Sequence, residues 1–418
     1  MNVQANLWFQ LGQQLPALRS RNYRLYFAGQ SLSMIGNFMT QLAILWLIYR
    51  LTDSALLLGI AGFLSQLPVF ALAPISGVLA DRYNRQHLML VLQFLGMIIS
   101  ISLTVFTFLS WTNFWVLLGL GTVLGVLKGL DVPIRHAFVI DVVNLEAVNS
   151  AISLNYAFLH TARLLGPGIG GILIATAGAG FCFLFDSISY IAVIVALLAM
   201  RLTIAPSESA AIAPWQKLQE GFQYAYQVVP IRAILVLLAT VSLVNMSYPT
   251  LLPIVSVETL QGGADTLGFL TAAGAMGSVV ASLYVGWRKD VLGLDRLIAL
   301  CPVLLAIGII IFSLSSVLWL SLLVMVLVGW SSTLQVAASN TVLQFIVEDS
   351  KRGRVMSFYT MCFMGMAPFG NLLAGSLAAA IGATNTLIIG SGVCLLGTWV
   401  FIQQLPIITK AIQVKTNT

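Results

Sequence analysis

Twelve long apolar runs, each close to the length that crosses a lipid bilayer, constrain this chain more than any other feature. They lie at about residues 24–48, 56–79, 88–109, 112–135, 149–175, 181–200, 231–255, 266–287, 294–315, 318–346, 355–379 and 384–405. A hydrocarbon core takes about 20 apolar residues of helix. No water is available there for backbone N–H and C=O groups, so only helices and closed barrels are admissible. A barrel strand would alternate polar and apolar residues. Unbroken runs such as Leu235 to Leu243 do not. The expected fold is therefore an all-α polytopic membrane protein with twelve transmembrane helices. Composition agrees: hydrophobic types make up 59% of the 418 residues and charged types 8%. So few charges cannot cover a soluble surface, which excludes a soluble enzyme, a disordered chain and a nucleic-acid binder.

Basic residues set the orientation. With the N-terminus in the cytoplasm, the inside collects Arg19, Arg21, Arg24, Arg82, Arg85, Arg201, Lys217, Arg232, Arg288, Lys289, Arg296, Lys351, Arg352, Arg354, Lys410 and Lys415. The outside keeps only Arg50. An even span count then returns the C-terminus to the cytoplasm. The first 20 residues carry no long apolar core, so the first membrane helix is expected to do the targeting. The stretch 201–230 reads as a cytoplasmic linker between a bundle over 1–200 and a second over 231–418. Its Trp215 to Val229 part is either an amphipathic surface helix or an ordinary loop. Cys182, Cys301, Cys362 and Cys394 form no CxxC and read as small packing residues.

The two halves echo each other at one spacing. Gly77 and Gly286, Asp81 and Asp290, Gly166 and Gly375, and Arg135 and Gln344 are all 209 residues apart. Two pseudo-symmetric six-helix bundles follow. That architecture suits alternating access around a midplane site.

Gly77-Val-Leu-Ala-Asp81-Arg82-Tyr-Asn-Arg85 is the sharpest local motif. Gly77 would permit close helix contact. Asp81 at a helix junction can accept N–H bonds or pair with a base. This stretch resembles the signature of the major facilitator superfamily, with Asn84 where that signature usually has glycine. The second copy keeps Gly286 and Asp290 but has Leu294 in place of the last arginine. The resemblance implies that these loops lock a cytoplasmic gate, the second copy more weakly. Arg135 is expected to serve the gate beside Asp81.

Further stretches narrow the likeness. Ala162-Arg-Leu-Leu-Gly166-Pro167-Gly-Ile-Gly170-Gly171 is similar to a fifth-helix motif common in exporters of the superfamily. Pro167 removes one intrahelical bond and can kink the helix, while the glycines, with Gly375 in the second half, allow close packing. Asp131 to Phe138, Gly353 to Ser357 and Ala367 to Gly370 resemble the bacterial branch that includes the enterobactin exporter. A bacterial inner membrane is implied.

Ionisable groups in lipid are costly and point to function. Lys128, Asp131, His160, Arg163 and Asp186 fall within the spans. Lys128, Asp131, Arg163 and Asp186 balance two positive against two negative charges, as internal pairing requires. Asp131 or Asp186 would load a proton, with Arg163 biasing it or holding an anionic substrate; the same groups could instead only fasten helices. His160 is either a proton relay or a hydrogen-bonded packing residue. Asn37, Gln41, Tyr156, Asn245, Tyr248 and Gln335 are candidates for lining the substrate cavity, suited to a bulky amphiphile.

No catalytic, nucleotide-binding or metal motif is present, so neither cofactor nor metal is expected. The reading that emerges is not an enzyme but a monomeric secondary transporter. Its expected partners are a small-molecule substrate, protons and membrane lipids, with no nucleic acid. A proton-coupled exporter of a siderophore or drug-like compound heads the possibilities. An importer or lysophospholipid flippase of the same fold, and a non-transporting receptor or scaffold, stand beside it.

Overall fold

A computed structural model of the chain describes residues 16–200, 223–288 and 290–416. Twelve helices among them are long and apolar enough to cross a membrane. They are α1 (Arg21–Thr52), α2 (Ala55–Arg82), α3 (Arg85–Phe108), α4 (Phe114–Val142), α5 (Val148–Thr176) and α6 (Ala179–Ala199), then α7 (Val229–Thr259), α8 (Ala264–Trp287), α9 (Leu294–Leu314) and α10 (Leu318–Ile346). The eleventh, α11, runs as Asp349–Met364 and Met366–Ile381, and α12 is Ala383–Thr416. Most of the expected linker, 201–222, lies outside the described residues, as does Lys289; residues 223–227 are helical.

Every span expected from the apolar runs is a helix, but several helices outrun the hydropathy. α12 continues to Thr416, past the limit of 405 read from the sequence. Hydropathy marks only the part of a helix that lies in lipid. Polar turns that continue beyond it stay helical by packing, as Ile408 and Ile412 do when buried at the end of α12. Thr409 Oγ1 there donates to the buried Asp295 at the start of α9. α7 is interrupted at Met246 and Ser247. Pro249 and Pro253 follow, and the helix ends in a π-helical turn over Val255–Thr259. α5 passes through Pro167 without a break in its helical assignment.

Local capping explains two of the helix starts. Asn84 Oδ1 accepts from the backbone N–H groups of Gln86 (2.9 Å) and His87 (3.2 Å), which caps α3. The asparagine that departs from the superfamily signature therefore does specific work. Asn113 caps α4 in the same way, accepting from Val116 N at 3.0 Å.

The described helices fall into two compact units: Met1–Leu47 with Pro68–Ala210, and Ile48–Leu67 with Ala211–Thr418. In the first, Tyr23, Tyr26, Met89, Ile134, Phe138 and Val193 are buried together. Tyr23 donates its hydroxyl to Ala151 O at 2.9 Å. α1 lies close on α6 because Gly29 and Gly36 lack side chains: a Cβ at Gly29 would stand 3.0 Å from Ala192 O, and one at Gly36 2.8 Å from Asp186 Oδ1. α5 approaches α1 by the same means. A Cβ at Gly166 would lie 2.6 Å from Phe38 Cβ, and one at Gly170 3.3 Å from Met39 Cα. The glycines of the fifth-helix motif thus act in helix packing.

In the second unit, α8 and α10 meet backbone to backbone. A Cβ on Gly277 would overlap the Val326 carbonyl, and one on Gly329 the Gly274 carbonyl. Ser278 Oγ bridges this seam, donating to Gly274 O (3.1 Å) or Gly329 O (3.3 Å). Small residues serve this purpose in lipid, where no hydrophobic gain drives helices together. Cys182, Cys301 and Cys394 are buried and Cys362 partly so, all as free thiols.

Candidate gating and coupling sites

Arg85 organises the end of the first unit that carries the Gly77–Arg85 motif. Its Nη1 reaches both oxygens of Asp141 at 2.9 Å. Its Nε donates to Ala80 O at 2.9 Å. Ala80 lies in the last turn of α2, where helix carbonyls lack intrahelical partners. One guanidinium therefore ties the end of α2, the start of α3 and the end of α4. Asp81 stands farther away, 3.8 Å from Arg85 Nη2, with its side chain 47% exposed. Asp141 was missed in the sequence because its partner lies 56 residues upstream and no local spacing links them.

Two gate expectations change here. Arg135 does not stand beside Asp81; its Nη2 pairs with Asp131 Oδ2 at 3.1 Å, one turn away on α4. Nor do Gly77 and Gly286 provide close contacts, since a Cβ at either would meet no atom within 4 Å. Arg82 is exposed. In the second copy α8 ends at Trp287. Arg288 then wraps its own turn, donating to Asp290 O (3.2 Å) and Leu292 O (2.5 Å). The Asp290 side chain is in no ion pair among the described residues.

A measurable contrast follows. Asp141→Asn leaves the Arg85 fork half-satisfied at a site about one-fifth exposed and should cost about 1–3 kcal/mol. Asp81→Asn breaks only a long, exposed pair and should cost under about 1 kcal/mol. Apparent melting temperatures in detergent separate them. Equal losses would contradict the assignment of Asp141, not Asp81, as the main partner.

The intramembrane charges do not form the neutral set expected. Asp131 takes Arg135 and, through Oδ1, Gln93 Nε2 at 3.1 Å. Neither Lys128 nor Arg163 forms an ion pair among the described residues, and both expose surface. Asp186, 1% exposed, is surrounded by neutral donors. Ser100 Oγ of α3 reaches its Oδ2 at 2.5 Å, Thr40 Oγ1 of α1 the same oxygen at 3.1 Å, and Asn37 Nδ2 its Oδ1 at 3.1 Å. Spacing along the chain could not show this, because the donors on α1 and α3 lie 86 to 149 residues from the acceptor on α6. His160 sits half-buried on α5 with Nδ1 unpartnered.

The cavity candidates divide. Asn37, Gln41 and Tyr156 are exposed in the first unit, Tyr156 with its ring 6.2 Å from that of His136. In the second unit Tyr248 is half-buried, while Asn245 and Gln335 are buried. Gln335 donates to Ser339 Oγ at 3.3 Å and its Oε1 is unpartnered.

Twelve helices carrying buried carboxylates and a motif-bearing helix junction define a polytopic transport protein of the major facilitator type. The family described as "Transmembrane secretion effector" matches residues 13–417. The chain belongs to that family, within the bacterial branch of the superfamily related to siderophore exporters. It is a multi-pass inner-membrane transporter and not an enzyme.

Among similar proteins, a staphyloferrin A transporter of Staphylococcus aureus is 25% identical over 387 residues, 91% of this chain and 96% of that protein. An enterobactin exporter of Shigella boydii is 24% identical over 374 residues, 85% of each. Solved structures share the fold. A bacterial homologue of the iron transporter ferroportin, in an inward-facing state, superposes with a TM-score of 0.69 at 16% identity, covering 92% of this chain and 98% of that one. A peptide transporter reaches 0.73 at 12% identity, covering 93% and 95%.

Proposed function

We propose that this chain is a proton-coupled exporter of a small amphipathic chelator of the siderophore class. It would work as a monomer by alternating access of two six-helix halves, 1–200 and 231–418, with both termini cytoplasmic. The surroundings of Asp186 carry this reading. A carboxylate held only by hydroxyls and an amide can exist in either protonation state, because hydroxyls rotate from donor to acceptor and an amide can flip. Asp131 is instead engaged in an ion pair with Arg135 and a hydrogen bond from Gln93. Two relatives named for siderophore transport support the substrate class. The exposed amide and phenol groups of Asn37, Gln41 and Tyr156 suit such a polar, aromatic-tolerant cargo.

The test uses purified protein in liposomes, with enterobactin and staphyloferrin A as probes. An imposed pH gradient, acid on the side to which substrate moves, should drive accumulation of at least one of them on that side. Collapse of the gradient with a protonophore should remove it. Flux of neither probe above empty liposomes would overturn the substrate class, and protonophore-insensitive accumulation would overturn proton coupling.

A further inference from the structure

Lys128 and Arg163 take part in no ion pair or hydrogen bond among the described residues. Both are nonetheless built into membrane spans, where an uncompensated charge is costly. Their helices, α4 and α5, are consecutive and antiparallel, joined through 143–147. The rings of His136 on α4 and Tyr156 on α5 lie 6.2 Å apart and fix the register. Lys128 is eight residues back along α4 from His136, and Arg163 seven residues on along α5 from Tyr156. Those steps are about 12 and 10 Å of helix rise. The two cations therefore stand at one level on neighbouring helices, with Lys128 in electrostatic reach of Arg163.

The charge on this face does not cancel. Asp131 takes Arg135, and Asp186 is enclosed by neutral donors from α1 and α3. Lys128 and Arg163 are left as two positive charges without a counter-charge. The groups around them can bond to an anion. Tyr156, His160 and Arg163 follow one another at helical spacing on α5. Tyr156 is exposed, and His160 Nδ1 has no partner. Leu165, Ile169 and Ile172, exposed and apolar, fall on the opposite side of α5. Lipid is met on that side and not at the cations.

We propose that Lys128 and Arg163 together hold two carboxylate groups of the cargo, which makes the substrate a polycarboxylate chelator exported without its metal. A guanidinium offers a planar fork matched to a carboxylate, and an ammonium a point charge with three donors. A chelator of hard cations binds them through anionic oxygens. Without metal those oxygens are free, and two cations held apart on α4 and α5 neutralise a pair of them. Tyr156 can donate its phenol to a third. A neutral cargo would leave both cations uncompensated throughout the cycle. The chelator and its direction rest on the export reading; the anion site does not.

Thermal shift of the full chain in a neutral maltoside detergent, without a gradient, tests the site with citrate as the probe. At constant ionic strength citrate should raise the melting temperature, and its uncharged trimethyl ester should not. Lys128→Gln and Arg163→Gln should each raise the citrate concentration for half the shift roughly tenfold. Arg296→Gln, which removes an exposed cation at the start of α9, should leave it unchanged. Without citrate neither Lys128→Gln nor Arg163→Gln should melt below the wild type, since each removes a charge that has no partner. The site fails if citrate gives no shift, if the ester matches it, or if both variants respond like the wild type. A lower melting temperature of the two ligand-free variants would reveal partners already in place and count equally against it. Inorganic phosphate acting through the same two residues at lower concentrations than citrate would overturn the carboxylate class. Should citrate binding hold while neither siderophore probe is moved in liposomes, the export reading falls and the anion site stands.

Discussion

In liposomes with an imposed pH gradient, Asp186→Asn is expected to reduce uphill accumulation of enterobactin or staphyloferrin A to the level of empty vesicles while substrate-for-substrate exchange continues. Uphill movement needs a group that binds and releases a proton each cycle; exchange does not. Asparagine keeps the shape of the side chain. Its carbonyl can still accept from Ser100 and Thr40, and its amide can donate to Asn37 once that side chain flips. The packing of α1, α3 and α6 should therefore survive. Asp131→Asn should behave differently, because it strands Arg135 inside the first unit. Both modes of flux and the melting temperature should fall together. Retention of gradient-driven accumulation by Asp186→Asn would reduce Asp186 to a fastening between helices.

Gly329→Leu is expected to give the largest loss of stability, to the point that monodisperse protein is no longer recovered. Even Gly329→Ala places a methyl group on the carbonyl of Gly274. The backbones of α8 and α10 must then separate, at a cost of about 1–3 kcal/mol or more. Separation also breaks the bridge made by Ser278. Gly77→Ala and Gly286→Ala are the controls, since the added methyl meets open space in each. Size-exclusion profiles and melting temperatures in detergent measure the difference. A Gly329→Ala protein as stable as Gly77→Ala would contradict the seam.

These contrasts show where the sequence was legible. Gly77 and Gly286 drew attention because they stand in a motif and repeat at one spacing. Gly274, Gly277 and Gly329 lie in no motif, yet they carry the closest helix contact among the described residues of the second unit. Asp81 and Arg85 were visible from their spacing, whereas Asp141 was not. Lys128, Asp131, Arg163 and Asp186 balance in charge along the sequence, yet Asp131 finds its partner outside that set. That partner is Arg135, one turn along α4.

The count of spans, the kind of solvent around them, the family motif and the intramembrane carboxylates were all readable from the chain alone. Each is a property of consecutive residues: lipid demands unbroken apolar helices, and a turn of fixed spacing records a helix junction. Which donors meet which acceptors was decided by tertiary structure. Arg85 and Asp141 are 56 residues apart, Ser100 and Asp186 86, and Asn37 and Asp186 149. A helix satisfies its own backbone wherever it lies, so nothing along the chain records which of its faces will press against another.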